Sequence, residues 1–288
     1  MPELPEVEIT ARRLHEALVG ATVESAMAPG LNTLKTFDPP LGALDGGTIT
    51  AVRRIGKHLV VDVRSAAGED LCVLLHLMSA GRLQLYDKRA SMKDRTSRLL
   101  LRIAPDRELR LREFGTKQAA WAKLLRAGEL AEDPALASLG PEAWPDPPAD
   151  LRDVLAPQKA RPLQAVLRDQ HVLAGIGRSW VDEILWEAKL SPFARAGGLD
   201  EDEARVLREA IVARLGAALA HYEDVVRLPI PDKLPLPLRI HRHHGEPCPR
   251  CATVIEAVHY EEQVLCYCPQ CQTGGKVLKD RRLSRLLK

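Results

Sequence analysis

The sequence predicts a multi-domain α and β chain: an N-terminal helix, short strands arranged as a sandwich or barrel, a helical region and a cysteine-bearing β-hairpin. Three observations carry this. Apolar residues recur at helical spacing from Leu4 to Leu18. Seven short β-branched or alternating runs follow, at the spacing of sandwich or barrel strands. Beyond a proline-rich stretch the pattern becomes helical, then ends in two Cys-x-x-Cys pairs. A chain of 288 residues can bury a separate core in each of two domains.

Leu4, Val7, Ala11, Leu14 and Leu18 share one face of the first helix, and Gly20 just beyond is a stop signal. The strand-like runs are 48–54, 58–63, 72–76, 82–86, 98–103, 108–112 and 118–124. Cys72 lies inside one of them and reads as a small core residue. Residues 132–157 hold six prolines and several acids, a composition that leaves no regular element and reads as a linker. Helical patterning resumes over 162–170, 178–188 and 201–222, with Ala174-Gly175-Ile176-Gly177 between the first two. A second proline-rich connector, 228–237, leads to the cysteines. The expected organisation is thus 1–131, a linker 132–157, a helical part 158–237, a finger 238–273 and a tail 274–288.

No apolar run approaches the roughly 18 residues that span a bilayer. The N-terminus is acidic and lacks an apolar segment, so a secretion signal is not expected, and a cytoplasmic monomer is. Net charge is only +2, but residues 232–288 carry 10 Lys+Arg against 6 Asp+Glu. Six of those cations fall in the last 15 residues. That tail reads either as a solvated basic segment or as a flexible arm lying near phosphate.

Cys248-Pro-Arg-Cys251 and Cys268-Pro-Gln-Cys271 are two knuckles separated by sixteen residues. Each pair can set two thiolates about 2.3 Å from one ion, and together they complete a tetrahedral zinc shell. Four ligands leave no open position, so one structural Zn2+ is expected. A redox dithiol or a disulfide pair are the competing readings, which two matched knuckles disfavour. Cys266 breaks the spacing and reads as a free thiol on the hairpin.

Chemistry enters at Pro2-Glu3-Leu4-Pro5-Glu6. A small second residue favours removal of Met1, which leaves the secondary amine of Pro2 free. Such an amine can form an iminium ion with a sugar aldehyde carbon. Glu3 and Glu6 suit proton transfer and the positive end of a helix. Alone, the same residues are also a plain helix start.

They do not stand alone, because this N-terminus with a zinc finger at the far end resembles the formamidopyrimidine-DNA glycosylase and endonuclease VIII family. The resemblance runs through the chain in order. Arg53-Arg54-Ile55-Gly56-Lys57 resembles a basic loop ending in a catalytic lysine. His76-Leu77-Met78-Ser79-Ala80-Gly81 is similar to the family's His-Leu-Gly-Met-Ser-Gly strand, and Leu111-Arg112-Glu113-Phe114-Gly115 to its Arg-Arg-Phe-Gly loop. Leu139-Gly140-Pro141-Glu142 and the Ala174–Gly177 turn with Glu183 match the approach to, and the turn of, a helix–two-turn–helix motif. Gly245-Glu246-Pro247-Cys248 opens the finger.

The resemblance implies an N-terminal helix, a two-layer antiparallel β-sandwich, a helix–two-turn–helix domain and a C-terminal zinc β-hairpin. It implies a bifunctional DNA glycosylase and abasic-site lyase that works on double-stranded DNA near the nucleoid, with the damaged nucleotide flipped into a cleft between the halves. By the same resemblance Pro2 attacks the sugar carbon and Glu3 protonates the opening sugar, with Glu6 beside them. Lys57 contacts phosphate and donates a proton during strand cleavage. Lys57 follows Gly56 at a strand edge and is expected to be exposed. Arg112 and Phe114 match residues that fill the gap left by the flipped base, although they also read as a surface Arg and a core Phe. Lys159 matches a phosphate-binding lysine and otherwise reads as an exposed one.

Three positions depart from the family pattern. Ser79 falls where a gap-filling Met is expected, with Met78 one place away. Arg178 replaces a phosphate-binding Asn and can still hold phosphate. Gln263 replaces a finger arginine, which should weaken the grip on DNA. These departures support a second reading, a relative that binds damaged DNA but cuts it weakly or not at all. A zinc-stabilised protein-interaction module is a third, and it leaves the N-terminus unexplained.

Overall fold

The computed structural model describes residues 2–91, 94–114, 118–260 and 263–278. The chain forms two compact units, one joining Met1–Ser138 to Leu219–Pro235, the other joining Leu139–Ala218 to Leu236–Lys288.

In the first unit, helix α1 (Leu4–Leu18) spans the residues its apolar spacing predicts. Eight strands follow among the described residues: β1 (Val23–Met27), β2 (Thr48–Ile55), β3 (His58–Arg64), β4 (Asp70–His76), β5 (Gly81–Tyr86), β6 (Ser97–Ile103), β7 (Arg107–Glu113) and β8 (Trp121–Arg126). They form two antiparallel four-stranded sheets, ordered β2-β3-β4-β8 and β1-β6-β7-β5. Alternate residues of the two sheets, among them Leu59, Val61, Val73 and Leu75 from one and Leu99, Leu101, Leu109 and Leu111 from the other, meet in one core. Val7, Ala11, Leu14 and Leu18 of α1 join it. Each buried Val or Leu among them contributes about 1.5–3 kcal/mol. This is the expected two-layer sandwich.

Two strand assignments differ from the sequence reading. Strand β1 was not expected, because Val23 is its one fully buried residue and a register shift between Val23 and Ser25 breaks its alternation. Strand β8 starts at Trp121, not at 118, because the backbone N–H groups of Ala119 and Ala120 donate to Glu113 Oε1 at 2.7 and 2.9 Å rather than to a ladder.

The proline-rich stretch holds regular structure after all. A four-residue helix α2 (Pro134–Ala137) starts behind Asp133, whose side chain accepts from the Ala135 N–H. Another short helix, α3 (Arg152–Leu155), lies in the second unit. Prolines donate no backbone hydrogen bond, so their segment needs only its carbonyls satisfied. Arg208 does this by donating to the carbonyls of Pro147 and Pro148. Residues 139–157 thus belong to the second unit instead of linking the two.

The second unit continues with α4 (Leu163–Leu167), α5 (Arg178–Glu187), α6 (Glu201–Val225, of which the residues from Leu219 onward belong to the first unit), strands β9 (Glu256–Tyr260) and β10 (Gln263–Tyr267), and α7 (Pro269–Thr273). Helix α4 is shorter than its pattern because Asp169 accepts the His171 N–H and the Gln170 side chain takes over the turn. On α5, Glu183 is fully buried and accepts the backbone N–H groups of Arg239, Ile240 and His241 at 2.7–3.0 Å. Its neighbour Asp182 meets His241 Nδ1 at 2.7 Å and accepts the Cys266 N–H at 3.0 Å. The β9–β10 hairpin is therefore tied to α5 through the segment that precedes it and through β10 itself.

The span 158–237 does not stay in one unit, since 219–235 belongs to the first. Gln84 explains part of this: its amide donates to Asp232 Oδ1 at 3.0 Å and to the Ile230 carbonyl. Among the described residues no helix is long and apolar enough to cross a membrane.

Candidate active site and metal centre

Pro2 directly precedes Glu3, the N-cap of α1. The Glu3 N–H donates to Glu6 Oε2 at 2.8 Å, as in a capping box. The other oxygen, Glu6 Oε1, accepts from the hydroxyl of Tyr222 at 2.8 Å. Glu3 is 3%, Glu6 6% and Tyr222 0% exposed, so two carboxylates and a phenol are packed around the start of the helix. Burial, and then the neighbouring Glu6 carboxylate, push the Tyr222 hydroxyl well above a phenol's ordinary range. Tyr222 therefore remains a donor at any working pH. Nothing in the sequence marks it, because it fits the apolar face of a long helix like any core residue.

Lys57 is buried, at 6% exposure, and the expectation of an exposed lysine is corrected. The physical cause is the turn it sits on. Gly56 takes φ 57°, and its carbonyl accepts from Arg54 Nη1 at 2.8 Å. The same guanidinium pairs with Glu8 on α1 at 2.9 Å, which draws the β2–β3 turn in beside the helix. The field of Lys57 reaches His76, and burial with His58 and Lys57 nearby holds His76 down to about 4. His58 is likewise held at about 4, chiefly by burial. The two rings lie 4.7 Å apart with Trp121 beside them. His76 Nδ1 accepts the Met78 N–H, so the neutral ring carries its proton on Nε2.

That hydrogen bond shapes the link from β4 to β5. Met78 sits at φ 49°, Ser79 is exposed at the tip, and Gly81 closes the turn onto the Leu77 carbonyl. A Cβ on Gly81 would meet that carbonyl at 2.4 Å, which restricts the position to glycine. Arg112 and Phe114 are brought together, with the guanidinium 4.5 Å from the ring centroid. Arg112 also donates to Tyr86 Oη at 2.6 Å and Thr96 Oγ1 at 3.1 Å. Gly115 lies outside the described residues.

In the second unit, the turn between α4 and α5 is held by Gln170. Its amide accepts the Gly175 N–H at 2.9 Å and donates to the carbonyls of Arg168 and Ile176. Helix α5 then begins at Arg178, exposed, behind Gly177 as an N-cap without a side-chain cap. Lys159 is exposed on a separate turn at φ 52°. Gln263 opens β10, and its side-chain oxygen accepts from Arg168. Of the basic tail only 274–278 is described; 279–288 lies outside the described residues.

Cys248, Cys251, Cys268 and Cys271 converge, with all four sulfurs within 4.8 Å of one another. Cys248–Cys271, Cys251–Cys268 and Cys251–Cys271 are 3.9, 3.4 and 3.5 Å apart. A tetrahedron of sulfurs about 2.3 Å from a central ion has edges of about 3.8 Å, so this donor set fits a metal. Trp186 Nε1 donates to Cys248 Sγ at 3.4 Å, and Arg250 stacks on the same indole 4.0 Å from its centroid. Cys266 is apart from the cluster, buried on β10 with the Arg242 N–H donating to its sulfur.

The chain matches the family model of the formamidopyrimidine-DNA glycosylase N-terminal domain over residues 1–116 and that of the H2TH domain over 139–229. It is 31% identical to a formamidopyrimidine-DNA glycosylase of Latilactobacillus sakei over 283 residues, covering 94% of this chain and 98% of that one. An uncharacterized formamidopyrimidine-DNA glycosylase-like protein of Mycobacterium tuberculosis is 40% identical over 159 residues, 55% of this chain and all of the relative. Among solved structures, Lactococcus lactis Fpg (MutM) bound to DNA containing N7-benzyl-Fapy-dG superposes with a TM-score of 0.81 at 25% identity, over 94% of this chain and all of that one.

Proposed function

Since the chain belongs to the formamidopyrimidine-DNA glycosylase family, we propose that it is a DNA repair glycosylase and abasic-site lyase that uses the amine of Pro2 as nucleophile. Its partner is double-stranded DNA carrying a damaged base or an abasic site. The observation that carries this reading is the packing of Glu3, Glu6 and Tyr222 at the start of α1, next in the chain to Pro2.

In this mechanism the Pro2 nitrogen attacks the sugar carbon that bears the damaged base, and the base departs. Glu3 gives a proton to the ring oxygen as the sugar opens, leaving an iminium ion that links protein and DNA. Loss of a sugar proton from that intermediate drives elimination of the 3′ phosphate, and Lys57, on the β2–β3 turn, supplies a proton to the departing strand. Water then releases Pro2. Arg112 and Phe114 stand ready to fill the vacated stack, the one hydrogen-bonding the orphaned base and the other wedging between steps. Met78 and Ser79 would lie at the same gap, while Lys159 and Arg178 hold backbone phosphates.

We assign zinc to the four-cysteine site. Zinc there supplies no catalysis, because four thiolates close its shell; it holds the β9–β10 hairpin.

A second reading, a damaged-DNA binder that cuts weakly, draws support from Gln263, which offers DNA no charge of its own. Borohydride trapping on single-lesion duplexes separates the two. The enzyme reading requires a covalent adduct at Pro2 and excised base; tight binding with neither would establish the binder. An N-terminal extension should abolish trapping, because an amide nitrogen lacks a nucleophilic lone pair.

A further inference from the structure

We infer that Tyr222 is a positioning residue for the N-terminal amine, acting through Glu6. The inference rests on the reading of Pro2 as nucleophile and adds a residue to that site. The chain of contacts is short: Tyr222 Oη donates to Glu6 Oε1 at 2.8 Å, and Glu6 Oε2 accepts the Glu3 N–H at 2.8 Å. Pro2 is bonded to that same Glu3 nitrogen. A peptide unit is planar, so holding the Glu3 N–H in one direction also holds the Pro2 carbonyl plane. The pyrrolidine nitrogen is then one torsion away from a fixed frame. Without the plane fixed, the amine could point through a wide arc, and attack on a sugar carbon tolerates little misplacement.

The same two bonds divide the labour between the carboxylates. Each Glu6 oxygen already accepts a hydrogen bond, one from a buried phenol and one from the backbone. Glu6 is thereby a rigid acceptor, and proton delivery to the sugar is left to Glu3. Tyr222 suits its part because it is fully buried, and burial beside Glu6 keeps its hydroxyl protonated. A phenylalanine would fill the same space and leave Glu6 Oε1 buried without this donor.

The test is Tyr222→Phe in the full-length protein. Its readouts are the single-turnover rate of borohydride trapping on an abasic duplex, the Kd for a tetrahydrofuran-analogue duplex, and urea unfolding. We expect trapping to slow roughly 10-fold, the order set by one charge-assisted hydrogen bond, with Kd within about twofold of wild type. A purely structural role would move the unfolding midpoint and leave the trapping rate of the folded fraction unchanged; that result overturns the inference. The second arm is a cycle with Glu6→Gln. Acting through Glu6, Tyr222→Phe should add nothing in that background, whereas an equal loss in both backgrounds overturns the route. If the wild-type protein fails to trap on DNA, the glycosylase reading fails by itself. The rate of reductive methylation of the Pro2 amine by formaldehyde and cyanoborohydride, which needs no DNA, then decides. Equal rates in wild type and Tyr222→Phe would refute the positioning role.

Discussion

The guanidinium of Arg168, at the C-terminal end of α4, donates a 2.9 Å hydrogen bond to the side-chain oxygen of Gln263 at the start of β10. The neutral amide at 263 thus sits against a cation from another element. Gln263→Arg would set two guanidinium groups side by side, so its gain on DNA should fall short of a full phosphate contact. Arg168→Ala should weaken binding to an abasic-analogue duplex several-fold and reduce the salt slope by about one contact. Binding isotherms at several salt concentrations check both. Wild-type slope and affinity in Arg168→Ala would show that this pair does not face phosphate.

About one zinc per chain is expected by elemental analysis. Cys268→Ser should lose it, because three sulfurs no longer close the shell. Chelation should also raise amide exchange in β9 and β10 well before it does in β3 and β4. Full zinc in Cys268→Ser, or exchange that ignores the chelator, would assign the cluster another role.

Acid should destabilise the first unit through His58 and His76. Both are held at about 4 against an ordinary value near 6.5. A base whose folded pKa is depressed binds fewer protons folded than unfolded, so stability falls as pH drops from about 6.5 to about 4. His58→Gln with His76→Gln should flatten urea midpoints measured between pH 7 and 5 relative to wild type. Metal loss affects both proteins alike, so the difference reports the imidazoles. Parallel pH curves would show that the rings take up protons freely in the folded state.

Because Lys57 is buried, its charge and its stem must be tested separately. Lys57→Met keeps the stem, and its melting temperature should stay close to wild type. Strand cutting should fall at least 10-fold, while trapping persists because the imine forms before the phosphate leaves. Unchanged cutting on all lesions would leave Lys57 a packing residue.

What could be read from the sequence follows its physics. Helix α1 was legible because its apolar period is unbroken, and the four cysteines because metal geometry imposes their spacing. Strand β1 was not, since an edge strand with a register shift carries no alternation. Lys57 misled because its burial comes from Arg54 reaching between Glu8 and the Gly56 carbonyl, a contact between distant segments. Tyr222 and Arg168 were invisible for the same reason: the partner of each lies about 95 residues or more away.

The first unit is built from two stretches, and about 80 residues of the other unit lie between Ser138 and Leu219. During translation at roughly 5–20 residues per second, that gap lasts about 4–16 s. Both sheets can pair in that interval, since every strand in them ends by Arg126. Glu6 must wait for Tyr222 to be made. The cluster of Glu3, Glu6 and Tyr222 is therefore completed only after both sheets can have formed. A ribosome that stalls before Leu219 leaves a chain able to form its sandwich, with the Glu6 carboxylate still missing its phenol.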